Sequence, residues 1–329
     1  MIDRRQTLAA LGSAVAVAAA GAARAQDRAP PPRGTAPDPT EVLELWPAGA
    51  PGAPATLPVE RIEERSKDPS LSDRAATGIV RPRLVVFRPA KPNGSALLVA
   101  PGGGYVRVVL DKEGYEIGRW LSARGWTVFV LFYRLPGDGW AAGPDTPLQD
   151  SQRAMRLIRA GAQSYGIRPD RVAAMGFSAG GHVCGDLATR HDAQVYAPVD
   201  AADRLSARPD LAAPIYAVQS MRLPVAHAGS RTQLLGAAPT PSLEAAHTVA
   251  GNVRATTPPC FLVHAEDDDV VSVDNSLAMR AALKQAGVSV ETHLFAEGGH
   301  GFGLRGVAGK PAAAWPELFA RWAQKYGFG

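Results

Sequence analysis

The sequence predicts an α/β fold, in which a mostly parallel sheet carries helices on both faces. Three observations predict it. Short apolar segments alternate with longer helix-like segments from about residue 84 onward, which is the pattern of successive strand–helix units. Polar or glycine-rich loops follow several of the apolar segments. Residues 61–329 suffice for one such domain with a substantial core.

Each predicted strand is a short apolar or alternating segment, and each predicted helix is a longer segment beside it. Gly125 ends the first predicted helix. The predicted elements are, in chain order, strands 84–88 and 95–100, helix 113–124, strand 127–132, helix 147–165, strand 171–175, helix 179–190, strands 211–218 and 260–264, helix 274–286, strand 289–295 and helix 312–325. In a mostly parallel sheet, the loops after the strands meet at one edge, where ligand sites form.

Residues 176–180 read Gly-Phe-Ser-Ala-Gly and lie between a predicted strand and a predicted helix. This setting is typical of a nucleophile elbow, in which a sharp, strained turn lifts a serine hydroxyl out of the sheet. Glycines flank the serine because Cβ atoms would clash in such a turn. The segment therefore predicts that Ser178 is a catalytic nucleophile.

A serine hydroxyl needs a base to take its proton, and after an elbow the acid and then the histidine follow in chain order. His300 follows the last predicted strand, and Gly299 and Gly301 flank it. Flanking glycines let the loop bend tightly, so His300 is the predicted base. His182 lies one turn into the helix behind the serine, and we expect it to pack or cap instead.

The predicted acid lies among three adjacent aspartates at 267–269, directly after strand 260–264. An Asp-x-x-Val spacing before Val271 selects Asp268, and Asp267 is the alternative. The acid would hold the histidine tautomer and stabilise the imidazolium. His264, at the end of the strand, is expected to support this loop.

The strand at 95–100 ends in Pro-Gly-Gly-Gly-Tyr at residues 101–105. Consecutive glycines expose backbone N–H groups and admit a substrate closely, as the glycine loops of lipases and esterases do. We expect the N–H groups of Gly103, Gly104 and Ala179 to form an oxyanion hole. No lysine stands at the position that a phosphate-binding loop requires.

These parts together predict an α/β-hydrolase fold with a Ser-His-Asp triad. An insertion at about 219–259 follows the strand 211–218 and is expected to form a lid or pocket wall. Tyr105 and Trp140 are predicted to contact the substrate, since aromatic rings can form a platform for a sugar. For Trp140 the alternative is a buried anchor of a long loop.

The N-terminus carries the pattern of a signal peptide over residues 1–25. Arg4 and Arg5 precede an alanine-rich apolar stretch, and Ala-Arg-Ala at 23–25 resembles a cleavage site. The arginine pair indicates the twin-arginine route, and we expect a periplasmic or secreted protein. Residues 26–60 are rich in proline and alanine, which predicts an extended linker and arm leading into the domain at 61–329.

Composition argues against several classes of partner. The formal net charge is +4 and basic residues are scattered, unlike the basic patches of nucleic-acid or membrane-surface proteins.

The two cysteines, Cys184 and Cys260, fall in predicted core elements, and we expect buried thiols more than a disulfide. No Cys/His spacing of a zinc site is present. We expect no metal, no organic cofactor, no nucleic-acid partner and no membrane partner; the oligomeric state stays open.

The chain also resembles a known family, the bacterial α/β-hydrolase carbohydrate esterases of the acetylxylan-esterase and feruloyl-esterase-like group, which neighbour the hormone-sensitive-lipase esterases. The resemblance rests on the segments at 45–52, 101–105, 176–182, 264–271 and 298–302. It implies a cofactor-independent enzyme that removes short acyl groups from plant polysaccharide fragments. Ser272 departs from the proline that many relatives carry after the valine.

The sequence and this resemblance together predict an exported serine esterase. Its substrate would be a small-molecule or oligosaccharide ester, with an acetyl group on a plant-derived sugar expected first. The alternatives are a serine peptidase of the prolyl-oligopeptidase type, which usually carries a large extra domain, and a non-catalytic binding protein on the same fold.

Overall fold

The computed structural model describes residues 37–329. The predicted signal peptide at 1–25 and the beginning of the predicted linker lie outside the described residues. Within 37–329, no helix has the length and apolar character needed to cross a membrane.

The described chain alternates strands and helices, mostly at the predicted positions. The strands are β1 (Val42–Glu44), β2 (Arg61–Glu64), β3 (Arg74–Thr77), β4 (Arg83–Phe87), β5 (Gly94–Ala100), β6 (Val108–Val109), β7 (Thr127–Phe132), β8 (Ile167–Phe177), β9 (Ala212–Ile215), β10 (Cys260–Ala265) and β11 (Val290–Phe295). The α-helices are α1 (Glu116–Ser122), α2 (Thr146–Ala160), α3 (Ser178–Arg190), α4 (Ala228–Leu235), α5 (Pro241–Ala246), α6 (Asp274–Gln285) and α7 (Trp315–Gln324). A π-helical turn, Asp111–Tyr115, precedes α1.

The central sheet has eight strands in the order β1-β4-β7-β5-β8-β9-β10-β11. The pairs β1–β4 and β4–β7 are antiparallel, and every pair from β7 to β11 is parallel. The predicted mostly parallel sheet flanked by helices is confirmed. β7 is buried along its whole length. Its continuous apolar sequence is typical of a strand in a sheet that is covered on both faces.

The strand register sets which loops meet at the carboxyl edge of the sheet. Ala100 at the end of β5 pairs with Gly176 near the end of β8, and Ala265 at the end of β10 pairs with Phe295 at the end of β11. The glycine loop therefore leaves the sheet beside the serine elbow. The aspartate loop leaves it beside the histidine loop.

The predicted linker at 26–60 is wrong for part of its length. Residues 42–44 form β1, an edge strand that pairs with β4. Next to it, Leu45 is fully buried, and the Trp46 indole N–H donates to Asp150 at 2.7 Å. A three-residue strand is too short to show a period of its own, so only the proline and alanine content was visible in the sequence.

The small second sheet, β2-β3-β6, was not predicted either, because its strands of two to four residues are too short to show a period. The insertion at about 219–259 contains α4 and α5. His227 caps the N-terminus of α4 and Thr240 caps that of α5, each through its side chain. The strand predicted to run to residue 218 ends at Ile215, because Tyr216 takes a φ of +34°, outside the β region.

Candidate active site

Ser178 sits at the junction of β8 and α3 with a φ of +54°, a strained value for a residue with a side chain. The neighbouring glycines make this turn possible. A Cβ added at Gly176 would lie 2.0 Å from the Gly180 carbonyl oxygen, and one at Gly180 would lie 2.1 Å from the Ala100 carbonyl oxygen. The local geometry is that of the elbow expected from the sequence.

The structure brings the three predicted triad residues together. The Ser178 Oγ lies 2.9 Å from Nε2 of His300, and Nδ1 of His300 lies 2.7 Å from Oδ2 of Asp268. A carboxylate only accepts hydrogen bonds, so Nδ1 carries the ring proton and Nε2 accepts from the serine hydroxyl. This is the tautomer in which the imidazole acts as a base toward serine.

Asp268 is held by donors on both of its oxygens. Oδ1 accepts the N–H groups of Val270 and Val271 at 3.0 and 2.8 Å, and Oδ2 accepts from His300 and, at 3.2 Å, from Nε2 of His264. Burial raises the pKa of Asp268, but the hydrogen bonds from His264, His300 and Val271 outweigh it and leave the pKa well below its ordinary value. The carboxylate therefore stays ionised beside the histidine.

His264 supports this loop, as the sequence predicts. Its Nε2 also lies 2.9 Å from the Val271 carbonyl oxygen, and its Nδ1 lies 2.8 Å from the Ser276 hydroxyl. Nε2 faces two acceptors and so carries the proton, while Nδ1 accepts from Ser276. The ring links the aspartate loop to α6.

The alternative acid, Asp267, has a different task. Its Oδ1 accepts the N–H groups of Gly298 and Gly299 at 2.8 and 2.7 Å. Asp267 therefore fastens the histidine loop to the aspartate loop but does not contact His300 through a hydrogen bond within residues 37–329. The geometry favours Asp268 over Asp267 as the acid.

The glycine loop packs directly against the nucleophile. A Cβ at Gly102 would lie 3.0 Å from the Cβ of Ser178. Gly103 and Gly104 have φ values of +132° and +66°, which suit glycine. Within residues 37–329, the N–H groups of Gly103, Gly104 and Ala179 donate no hydrogen bond. Three donors are therefore available, two on the glycine loop and one at the start of α3.

The prediction that Tyr105 contacts the substrate is wrong, because its side chain is 1% exposed. Its hydroxyl lies 2.7 Å from Nδ1 of His182, and Nε2 of His182 lies 2.7 Å from the His247 carbonyl oxygen. Burial lowers the pKa of His182 to about 4, so the ring is neutral and accepts from Tyr105. Tyr105 anchors the glycine loop to α3, and His182 packs there as expected.

Trp140 also lies inside the protein, with 3% of its surface exposed. The Arg134 guanidinium lies 4.6 Å from the centre of its ring and pairs with Asp150 at 2.8 Å. This is the buried loop anchor that was the alternative for Trp140, and the prediction of a substrate contact is wrong. Arg134 also binds the Pro51 carbonyl at 2.7 Å, so this cluster holds the N-terminal arm.

His227 lies in the insertion, at the N-terminus of α4. Its Nδ1 accepts from the Ser230 hydroxyl at 2.8 Å, which leaves Nε2 as the N–H donor. Burial lowers the pKa of His227. Because its Nδ1 also accepts the Ser230 N–H at 3.2 Å, His227 caps the start of α4.

Sequence reasoning missed two buried polar residues at the site, Glu113 and Tyr216. Glu113 accepts the Gly102 N–H at 2.9 Å, and Tyr216 contacts both Glu113 and the histidine loop. Neither residue belongs to a motif. The available signal was a glutamate thirteen positions after Ala100, the end of the strand before the glycine loop, and next to Gly114.

The remaining reactive groups lie apart from this chemistry. Cys184 and Cys260 are free and buried, and burial raises the pKa of the Cys184 thiol to about 12. Among residues 37–329, no group of three or more His, Cys, Asp or Glu side chains is arranged to hold a metal ion.

Comparisons with known proteins point to one family. The family model described as BD-FAE matches residues 86–283. The chain is 33% identical over 227 residues to the acetylxylan esterase of Xylanibacter ruminicola, with 68% of this chain and 44% of that protein aligned. It is 37% identical over 205 residues to endo-1,4-β-xylanase B of Butyrivibrio fibrisolvens, with 62% and 32% aligned. The chain thus spans less than half the length of these two relatives.

Solved structures agree with this assignment. The acetyl ester-xyloside bifunctional hydrolase of Caldicellulosiruptor lactoaceticus superposes with a TM-score of 0.69 at 33% identity, over 84% of this chain and 99% of that one. A thermophilic esterase from Thermogutta terrifontis superposes with a TM-score of 0.62 at 22% identity, over 83% and 96%. The second likeness concerns the fold alone.

Proposed function

The chain belongs to the BD-FAE family of α/β-hydrolase esterases, and on that premise we propose that it hydrolyses acetyl and other short acyl esters on xylan-derived saccharides. The observation that carries the proposal is the continuous hydrogen-bonded series from the Ser178 hydroxyl through His300 to Asp268. An activated serine is the requirement for acyl transfer through a covalent intermediate.

In the proposed reaction, Ser178 Oγ attacks the ester carbonyl while Nε2 of His300 takes its proton. The protonated ring then gives that proton to the sugar oxygen as its bond to the acyl carbon breaks, so the sugar leaves as an alcohol and an acyl-enzyme remains. Water repeats the sequence, with His300 again as the base, and releases the acid and the free serine. Asp268 keeps Nδ1 protonated throughout and stabilises the imidazolium.

The N–H groups of Gly103, Gly104 and Ala179 are proposed to hold the oxyanion of the tetrahedral intermediate. Two facts support this: the glycine loop contacts the nucleophile, and none of the three N–H groups donates within residues 37–329. Removing one such donor costs roughly 10²- to 10³-fold in kcat in other hydrolases. These donors would supply a major part of the rate enhancement.

The substrate class is inferred from the relatives and from the insertion. The acetylxylan esterase and the acetyl ester-xyloside hydrolase are named for acetyl esters and xylosides. The insertion that carries α4 mixes polar with apolar residues, whereas a lipase needs a long apolar surface to gain about 0.8 kcal/mol per buried methylene. A short acyl group on a polar alcohol fits these features.

Hydrolysis rates on a matched panel test the proposal. We would measure kcat/KM for p-nitrophenyl acetate, butyrate and octanoate, methyl ferulate, acetylated xylo-oligosaccharides and a peptide p-nitroanilide. We expect activity to fall steeply beyond butyrate and the acetylated oligosaccharides to be cleaved. An octanoate optimum would overturn the carbohydrate assignment, and a ferulate optimum would change the acyl group. Cleavage of the anilide alone would indicate a peptidase, and a folded protein inactive on every compound would indicate a binding protein.

We also propose that the protein is exported and that a signal peptide is removed after Ala25, on the sequence pattern of residues 1–25. N-terminal sequencing of the protein recovered from a periplasmic or culture fraction tests this. Gln26 as the first residue is expected, and an intact N-terminus in the cytoplasm would contradict export.

A further inference from the structure

We propose that Glu113 is a positioning residue whose buried carboxylate fixes the glycine loop at 101–105 relative to the histidine loop at 298–303. The inference rests on the proposed esterase function, since it assigns a role within that reaction.

Glu113 accepts a hydrogen bond on each carboxylate oxygen, from two different parts of the site. Oε2 accepts the Gly102 N–H at 2.9 Å, and Oε1 accepts the Tyr216 hydroxyl at 3.1 Å. The Glu113 residue is 3% exposed. Because water is excluded, each donor depends on this carboxylate for its hydrogen bond, and leaving a buried donor unpaired costs about 1–3 kcal/mol.

Tyr216 extends the connection to the histidine loop. Its hydroxyl oxygen accepts the Gly303 N–H at 3.0 Å, so its own proton points to Glu113. Burial raises the pKa of Tyr216 well above its ordinary value, which keeps the hydroxyl protonated. The Tyr216 ring also meets the His300 ring edge-on, with the centroids 5.3 Å apart.

The resulting path is Gly102 N–H to Glu113, Glu113 to Tyr216, and Tyr216 to Gly303 N–H. It joins the loop after β5 to the loop after β11 by way of the residue that follows β9. The first loop carries two of the three proposed oxyanion donors, Gly103 and Gly104, and the second carries the base. The path therefore sets the position of the glycine loop relative to the histidine loop, although the two loops follow different strands.

The surroundings of Glu113 leave little room for adjustment. It lies in the π-helical turn Asp111–Tyr115, an irregularity that is frequent at functional sites. A Cβ at Gly102 would lie 2.7 Å from the Glu113 carboxylate, and one at Gly303 would lie 2.7 Å from the Lys112 carbonyl oxygen. Both loops pack closely against this turn, so a shift of Glu113 would displace them.

A glutamine cannot replace this carboxylate. Two donors converge on it, and a glutamine side chain offers one acceptor oxygen and one NH₂ group. The NH₂ group would face either the Gly102 N–H or the Tyr216 hydroxyl. Glu113→Gln therefore breaks one of the two connections at Glu113 with almost no change in volume. Tyr216→Phe removes the hydroxyl that contacts both Glu113 and the Gly303 N–H, while keeping the ring against His300.

Oxyanion donors act on the transition state more than on the bound ester, so misplacing them lowers kcat rather than raising KM. We expect Glu113→Gln and Tyr216→Phe each to lower kcat on p-nitrophenyl acetate about 10- to 100-fold, with KM changed less than about twofold. Affinity for phenylboronic acid, which forms a tetrahedral adduct on the serine, should fall in parallel. The double variant should be little worse than the more severe single variant, because both act on one path.

Asp111→Asn is the matched control. Asp111 is a buried carboxylate of the same turn, but it binds Arg74 and contacts neither loop by a hydrogen bond within residues 37–329. We expect it to lower the thermal midpoint while kcat and boronic acid affinity stay near those of the original protein. If Glu113→Gln does not fold, Tyr216→Phe tests the same path.

An unchanged kcat in either folded variant would overturn the proposal, as would a loss confined to KM. Equal losses of kcat and boronic acid affinity in Asp111→Asn would also overturn it, by showing a general packing effect. Failure of the proposed function looks different: the original protein would then hydrolyse no ester, and a fluorophosphonate would not label Ser178.

Discussion

Nδ1 of His300 lies 2.7 Å from Oδ2 of Asp268, although the two residues are 32 positions apart in the chain. Neighbouring strands set this distance. Ala265 and Phe295 are paired across β10 and β11, so the two loops that follow leave the sheet side by side. Asp267 then ties the loops together through the N–H groups of Gly298 and Gly299.

Ser178→Ala and His300→Ala should each lower kcat on p-nitrophenyl acetate by about four orders of magnitude or more while folding is retained. The reason is that the first change removes the nucleophile and the second removes its base. Steady-state kinetics with far-UV circular dichroism checks both points. If Ser178→Ala kept more than about a tenth of the activity, the nucleophile would lie elsewhere.

Asp268→Asn should cost nearly as much as loss of the histidine, roughly 10⁴-fold in kcat, because an amide favours the wrong imidazole tautomer. Asp267→Asn is the matched control, since it changes the adjacent carboxylate. An asparagine oxygen can still accept the N–H groups of the histidine loop, so we expect most activity to remain. Kinetics of the two variants measured side by side decides the acid. The reverse ranking would make Asp267 the acid and leave the reaction class intact.

Cys184 and Cys260 should not react with a thiol reagent in the native protein, because the thiolate is the reactive form and burial raises both pKa values. Titration with Ellman's reagent before and after guanidinium denaturation checks this. We expect no reaction, and no loss of ester hydrolysis, before denaturation and two thiols per chain afterwards. Fast labelling of either cysteine in the folded protein contradicts the burial that the structure shows.

The sequence predicted the parts of the fold and the site that depend on local pattern. The long apolar strands and the glycines around Ser178 and His300 are of this kind, because an elbow or a tight loop needs glycine at fixed positions. The choice between Asp267 and Asp268 needed the structure. Adjacent residues point in different directions, and only the packing of the two loops decides which carboxylate faces the histidine.

The contacts that the sequence could not reveal are all between distant residues. Tyr105 was predicted to contact the substrate as an aromatic side chain, but a positive φ of +62° and the hydroxyl contact with His182 turn it inward. Trp140 is turned inward by Arg134. Glu113 acquires its two hydrogen bonds only when Gly102 and Tyr216 pack against it in the folded protein. A local pattern carries no information about such partners.

His182→Gln should weaken the pH dependence of stability. The folded pKa of His182 is lowered to about 4 by burial, so the unfolded chain binds a proton between pH 6.5 and 4 that the folded protein does not. The free energy of unfolding that His182 contributes is complete above pH 6.5 and is lost as the pH falls toward 4. The full difference amounts to about 3 kcal/mol.

Urea unfolding at pH 7 and pH 4.5 measures this effect. The original protein should lose more stability across that interval than His182→Gln does. Tyr105→Phe is the control, because it removes the hydrogen bond to His182 and leaves the buried, titrating ring in place; it should be less stable at pH 7 and keep more of the pH dependence than His182→Gln does. Equal losses in the original protein and in His182→Gln would show that the ring does not titrate as inferred.

Gly102→Ala should damage catalysis, whereas Gly251→Ala should not. A Cβ at Gly102 would lie 2.6 Å from the Phe177 carbonyl oxygen, 2.7 Å from the Glu113 carboxylate and 3.0 Å from the Ser178 Cβ. Backbone and a buried carboxylate cannot move aside cheaply, so the glycine loop must shift away from the nucleophile. We expect kcat/KM to fall about 100-fold, as for a displacement of about 1 Å at an active site. Stability should fall by about 1–3 kcal/mol from overpacking.

At Gly251 the nearest atom to an added Cβ is 3.8 Å away and φ is not left-handed. Alanine there should leave kcat/KM unchanged and can add about 0.4–1 kcal/mol of stability by restricting the unfolded chain. Kinetics and thermal unfolding of the two variants provide the measurement. Full activity in Gly102→Ala would mean that the glycine loop does not need its position beside Ser178, and the proposed oxyanion hole would then have to be formed by other donors.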